Sequence, residues 1–132
     1  MADSLQEKGL LEAAISSYQK AIEINPNLSW SYYNFGEALI KLQRWDEAII
    51  VYRRAIELEA NNHLFHRRLA SVFQEKGFLD EAISSYKTAI EINPKSCWYY
   101  AALGNAYVQN ENLSEAITCI IQAMKMRPDY YE

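Results

Sequence analysis

The chain has 132 residues, half of them apolar, with 13 basic against 17 acidic side chains and a formal charge of −4. A net acidic surface disfavours nucleic acid, whose phosphates require a dominant basic face. No stretch approaches the ~18 consecutive apolar residues of a membrane span and no hydrophobic leader follows Met1, so the sequence reads as soluble and cytoplasmic.

The first predicted element is helical and belongs to a repeat. Ala14, Ala48, Ala82 and Ala116 stand 34 residues apart, each followed four residues later by Tyr18, Tyr52, Tyr86 or Ile120. Ala21, Ala55, Ala89 and Ala123 keep the same interval, as do Pro26, Pro94 and Pro128, with Ala60 where one proline is missing. Residues 1–28 form a partial first copy, mainly its second helix, with only Ala2 to Lys8 standing where a first helix belongs.

The copy at 29–62 opens with a first helix from Ser29 to Leu42, where Tyr32, Phe35, Leu39 and Leu42 recur at helical spacing. Its second helix runs about Trp45 to Leu58, with Asp46 and Glu47 in the first turn, where exposed N–H groups and the helix dipole favour negative charge. Asp80 and Glu81 mark the same place in the copy at 63–96. Asn25-Pro26, Asn93-Pro94 and Arg127-Pro128 close second helices, because the residue before proline avoids helical backbone and proline lacks a donor. The small residues Gly36, Ala70 and Gly104 on first helices, and Ala48, Ala82 and Ala116 on second helices, let the two helices of a hairpin approach closely. One such hairpin cannot bury its apolar face alone, so neighbours must stack into a shared core.

These residues resemble the tetratricopeptide repeat family, whose 34-residue pattern is W-x2-L-G-x2-Y, then A-x3-F, then P. Tyr32, Phe35, Gly36, Leu39, Ala48, Tyr52 and Ala55 carry it in the second copy. His66, Leu69, Ala70, Phe73, Ala82, Tyr86, Ala89 and Pro94 carry it in the third, and Tyr100, Leu103, Gly104, Tyr107, Ala116, Ile120, Ala123 and Pro128 in the fourth. No copy has the first Trp; His66 is the departure at that position, where the neighbouring copies keep an aromatic ring. The resemblance implies an all-α fold, an α-solenoid in which antiparallel helix-turn-helix repeats wind into a right-handed superhelix. It also implies that positions 2, 5, 9 and 12 of each repeat face a concave groove, and their helical spacing independently puts them on one face. Those residues are Trp30, Tyr33, Glu37 and Ile40, then Leu64, Arg67, Ser71 and Gln74, then Trp98, Ala101, Asn105 and Val108.

A groove with aromatic ends and a basic middle suits a peptide with apolar anchors and an acidic side chain opposite Arg67. Trp30 and Trp98 either anchor such a ligand or pack at the seam between repeats. A subset of the family clamps a chaperone tail's terminal carboxylate, but here the corresponding places hold Tyr33, Glu37, Arg68, Trp98 and Ala102, so that function is not expected. The helix from His63 to Lys76 is locally basic, through Arg67, Arg68 and Lys76, too small a patch for RNA.

Catalysis finds no Ser-His-Asp arrangement, glycine-rich phosphate loop or metal-ligand cluster, so the chain is not expected to be an enzyme and no cofactor or metal is implied. His63 and His66 share a face at i and i+3 without a third ligand, so packed imidazoles are favoured over a metal site. Cys97 and Cys119 have no paired spacing and read as small apolar residues of a reducing compartment.

The expected partner is a protein or peptide, with self-association as the alternative. Only Asp129 to Glu132 follow Pro128, and Leu10, Ile15, Tyr18 and Ile22 lack a full first helix beside them, so both end faces are expected to be uncovered. Gln6 to Pro26 resembles Gln74 to Pro94 more than the copy between, which suggests duplicated repeat pairs and a piece of a longer array. In the resembling family such arrays also serve as docking arms of transferase-type enzymes.

Overall fold

The computed structural model describes residues 2–126, with side chains from Gln6 onward. Among these residues there are seven α-helices and no strand: α1 (Ala2–Ile24), α2 (Ser29–Lys41), α3 (Trp45–Leu58), α4 (His63–Glu75), α5 (Leu79–Ile92), α6 (Cys97–Gln109) and α7 (Leu113–Met126). They form two compact units, Met1–Ala60 with α1 to α3 and Asn61–Glu132 with α4 to α7. The fold is an all-α repeat of the solenoid class. No described helix is long and apolar enough to cross a membrane.

In unit 1, α2 pairs with α3 and also lies against α1. The α2 stripe buries Tyr32, Phe35, Gly36, Ala38 and Leu39 against Ala48, Ile49, Tyr52 and Ala55 of α3. Gly36 marks the closest approach: a Cβ there would stand 2.6 to 2.9 Å from the fully buried ring of Tyr52. Unit 2 repeats the hairpin twice, α4 with α5 and α6 with α7, and α6 also lies against α5. There the small position is Ala70, and the Tyr86 hydroxyl donates to Gln74, where in unit 1 the Tyr52 hydroxyl donates to Glu37. Glu37 corresponds to Ser71, one turn before Gln74, so the ring over an alanine reaches for a different acceptor than the ring over a glycine.

Each hairpin turns on one residue in the left-handed region: Gln43 at φ 58°, Gly77 at 82° and Glu111 at 61°. The next residue's N–H bonds back five positions in all three turns, Arg44 to Leu39, Phe78 to Phe73 and Asn112 to Tyr107, at 2.8 to 2.9 Å. This is the Schellman closure, which satisfies carbonyls orphaned at a helix end. Arg44 then clamps the unit 1 turn, with a bidentate bond to Glu47 (2.9 and 2.6 Å) and a 3.5 Å ion pair to Glu12 of α1. Hydrogen bonding from Arg44 holds the Glu47 carboxyl below its ordinary range.

The segment Ala2 to Lys8 continues into the second helix of the partial copy, as α1 runs unbroken through Gly9 to Ile24. One expectation needs correction. Ile15 is not poorly covered: it is buried, with α2 lying against α1, whereas Leu10 is exposed and Tyr18 and Ile22 are half-buried. Closure by Asn25-Pro26 and Asn93-Pro94 agrees with helices that end at Ile24 and Ile92. The Ala60 copy stops at Leu58 without a proline, and the next helix begins where the Asn62 side chain accepts from the Leu64 N–H at 3.1 Å. Arg127-Pro128 and Asp129 to Glu132 lie outside the described residues.

Three glycine-to-alanine substitutions should separate these environments by chemical denaturation. Gly36→Ala is expected to lose about 1 kcal/mol, since displacing the Tyr52 ring outweighs the gain in helix propensity. Gly77→Ala should lose about 1 kcal/mol or more, because alanine is strained at positive φ. Gly9→Ala, mid-helix with nothing within 4 Å of the added carbon, should gain about 0.5 to 1 kcal/mol. A loss at Gly9 would mean that the segment does not stay helical in solution.

Candidate functional site

In unit 2 the chain forms a half-open pocket of about 440 Å³, lined by Arg67 and Ser71 of α4, Tyr86 of α5, Trp98, Ala101, Ala102 and Asn105 of α6, and Ile120 of α7. Helical spacing explains the set. Arg67 and Ser71 are four apart on α4, Trp98, Ala101, Ala102 and Asn105 follow at three and four on α6, and Tyr86 and Ile120 enter from the second helices. Small side chains make the room. Ala101 and Ala102 keep the α6 wall low, and Ile120 takes the column filled by a tyrosine in every other copy.

Arg67 is half-buried and makes no hydrogen bond or ion pair among the described residues. A guanidinium partly withdrawn from water without a counter-charge favours an incoming anion. Ser71 and Asn105 add polar groups beside it, while Trp98, 53% exposed, and Ile120 supply apolar wall. Tyr86 is buried and positioned by its 2.9 Å bond to Gln74, whose amide donates in turn to Gln109. Burial pushes the Tyr86 phenol above its ordinary pKa, and Arg67 and Arg68 oppose that rise.

Of the residues expected on the concave face, five line this cavity: Arg67, Ser71, Trp98, Ala101 and Asn105. Leu64, Gln74 and Val108 do not; Gln74 is engaged with Tyr86 and Gln109, and Val108 is exposed. Trp30, Tyr33, Glu37 and Ile40 belong to unit 1. There Trp30 meets Tyr33 edge-on at 5.1 Å between centroids, Tyr33 meets Tyr52 at 5.9 Å, and Glu37 accepts from Tyr52 at 2.6 Å. Tyr86 and Ile120 stand on second helices and Ala102 falls outside positions 2, 5, 9 and 12 of its repeat, so none of the three belongs to the expected set. The break in the tyrosine column at Ile120 was the available signal.

The remaining candidates have structural partners. His63 shares a hydrogen bond between Nδ1 and the Tyr99 hydroxyl, with the rings 5.5 Å apart, as a packed imidazole should. Cys97 and Cys119 are buried free thiols, and burial pushes the Cys119 thiol up against the opposing pull of Lys87. Among the described residues no three His, Cys, Asp or Glu side chains gather as metal ligands.

Comparison with known proteins places this geometry in a family. The profile described as TPR repeat matches residues 2–43, 36–77 and 71–111, and the profile described as tetratricopeptide repeat matches 99–130. No curated protein matches the chain. Solved structures do. A crystal structure of MamA is 27% identical with a TM-score of 0.87, over 93% of this chain and 72% of that one. A second crystal structure of MamA is 28% identical with a TM-score of 0.85, over 91% and 66%. MamA from Desulfovibrio magneticus RS-1, at 19% identity, a TM-score of 0.85 and coverage of 98% and 73%, is alike in fold alone. The matches support a protein-interaction scaffold, and with profiles spanning residues 2 to 130 the chain belongs to the tetratricopeptide repeat family.

Proposed function

We propose that the chain binds a peptide segment of a partner protein through the unit 2 cavity, and that it binds its partner rather than transforming it. The observation that carries this reading is Arg67, half-buried beside an apolar wall and without a hydrogen bond or ion pair among the described residues. An acidic side chain set against the guanidinium, followed by an apolar residue against Trp98 and Ile120, would satisfy both surfaces. Ser71 and Asn105 are placed to hydrogen-bond the peptide backbone, as adaptable polar groups beside rigid anchors do. Trp30, Tyr33, Glu37 and Ile40 offer a separate contact surface on unit 1. The repeats that present these residues are proposed to run 29–62, 63–96 and 97–130, after a partial copy at 1–28.

A displayed library of random peptides panned on the chain tests the reading. Selected sequences should be enriched in Asp or Glu next to an apolar residue. Arg67→Ala and Trp98→Ala should each weaken a selected peptide by about tenfold or more, at unchanged helicity, in isothermal titration. Peptides that bind both variants as tightly as the parent would move the site elsewhere. Affinity should also fall as pH drops through about 4, because the peptide carboxylate takes up a proton there and loses its charge. A pH-independent affinity between 3 and 7, on the order of constant within twofold, would remove the acidic side chain from the reading.

A further inference from the structure

Unit 1 keeps in full a side-chain set that the unit 2 pocket holds with its rings removed. Two repeats of 34, or 68 residues, separate Trp30, Tyr33, Glu37 and Tyr52 from Trp98, Ala101, Asn105 and Ile120, and all four of the latter line the pocket. In unit 1 the set forms a ladder. Trp30 meets Tyr33 edge-on at 5.1 Å, Tyr33 meets Tyr52 edge-on at 5.9 Å, and the Tyr52 hydroxyl ends the ladder on Glu37 at 2.6 Å. In unit 2 the tryptophan and the terminal polar group remain, while an alanine and an isoleucine replace the two rings between them. The atoms that crowd a Cβ built on Gly36 are Cζ, Cε1 and Cε2 of Tyr52, the far end of the ring; on Gly104 the nearest is Cγ1 of Ile120, close to its own backbone. Isoleucine has no atoms where the ring end and hydroxyl of a tyrosine would lie. Asn105, in the place where Glu37 receives that hydroxyl, makes no hydrogen bond among the described residues.

We propose that the apolar residue of the bound peptide is a tyrosine, whose ring takes the place of the missing rungs between Trp98 and Ile120 and whose hydroxyl bonds the Asn105 amide. The inference rests on the peptide reading and names the side chain that reading leaves open. Arg67, on the α4 wall of the same pocket, receives an acidic residue beside that tyrosine, so the ligand is a short acidic segment with one phenol. An aliphatic side chain would fill space but bring neither a ring edge to Trp98 nor a hydroxyl to Asn105. Ile120 is then the specificity-determining residue: a tyrosine at that place, as in every other copy, would seat its own ring where the ligand's belongs.

Two probes test this on the 132-residue chain. In nuclear magnetic resonance 4-methylphenol, the tyrosine side chain alone, should shift the Asn105 side-chain amide and Trp98 indole signals, and toluene should bind about fivefold more weakly, for want of one hydrogen bond. Ile120→Tyr should keep the parent's circular dichroism and move neither signal, because its ring fills the seat; Ala101→Tyr is the second closing variant should the first fail to fold. Asn105→Leu should erase the preference for 4-methylphenol over toluene while both still bind. Among peptides panned on the chain, those with tyrosine beside Asp or Glu should bind about fivefold tighter than their phenylalanine counterparts and about tenfold tighter than leucine ones. Peptides that need Arg67 and Trp98 yet bind equally well with leucine, or that bind Ile120→Tyr as tightly as the parent, would overturn this inference and leave the peptide reading intact. If no selected peptide depends on Arg67 the peptide reading fails, and the seat then stands or falls by 4-methylphenol: Asn105 signals that stay unmoved, or move equally in Ile120→Tyr, overturn it.

Discussion

The close approach of two helices at one small residue governs the rest of this structure. Gly36, Ala70 and Gly104 on first helices, with Ala48, Ala82 and Ala116 on second helices, leave no side chain bulk at the crossing, and the three alanines are almost wholly buried. Because the backbones come so near, the large residue four positions after each alanine must lie flat across the partner helix. In unit 1 that residue is Tyr52, close enough to Gly36 to exclude a methyl group. In unit 2 the equivalent residues are Tyr86 and Ile120, and a carbon added at Gly104 would meet the isoleucine at 3.1 Å. Whatever the large residue does not fill becomes cavity wall. Tyrosine closes the space and sends its hydroxyl to a neighbour, and isoleucine leaves it partly open.

From that seam the polar chemistry follows. Tyr86 cannot be buried without a hydrogen-bond acceptor, and Gln74 supplies it. Arg67 lies two turns before Gln74 on α4 and lines the pocket with the α6 alanines, with no ion pair to it among the described residues. Unit 1 has the opposite arrangement. There the hydroxyl's acceptor is the carboxylate of Glu37, and aromatic rings stack edge to face from Trp30 through Tyr33 to Tyr52. One repeat pattern thus offers a cationic pocket in one unit and an aromatic, acidic face in the other, through substitutions at positions that the packing leaves open.

Much of this was legible in the residues. The 34-residue alanine columns locate the second helices, and α3 spans the residues expected of it, Trp45 to Leu58. The family pattern, with helical spacing beside it, named five residues that line the unit 2 pocket. What could not be read was anything that depends on two elements meeting. The left-handed residue of each turn is glycine only at Gly77; at Gln43 and Glu111 the Schellman closure imposes the same backbone on side chains that do not favour it. The bridge from Arg44 to Glu12 joins residues 32 apart in sequence, with no local pattern to announce it. Tyr86 and Ile120 share a column with the fully buried Tyr52, yet both line the unit 2 pocket, where isoleucine replaces the tyrosine of the other copies.

The two Q-E-K-G segments show how far local sequence can reach. Gln6 to Gly9 and Gln74 to Gly77 are identical, yet the first continues α1 and the second ends α4 in a left-handed turn. Glycine permits both backbones, so the choice falls to the neighbours. After Gly77 comes Phe78, whose N–H bonds the Phe73 carbonyl and whose ring stands 6.4 Å from the Phe73 ring, the apolar contact that accompanies such closures. After Gly9 comes Leu10, which is exposed and gains no such cover. Without that contact the reversed turn loses its compensation for broken helical hydrogen bonds, and the straight helix wins by default, at the cost of a glycine inside it. The same four residues can therefore bend or extend the chain, and the aromatic pair across the turn decides which.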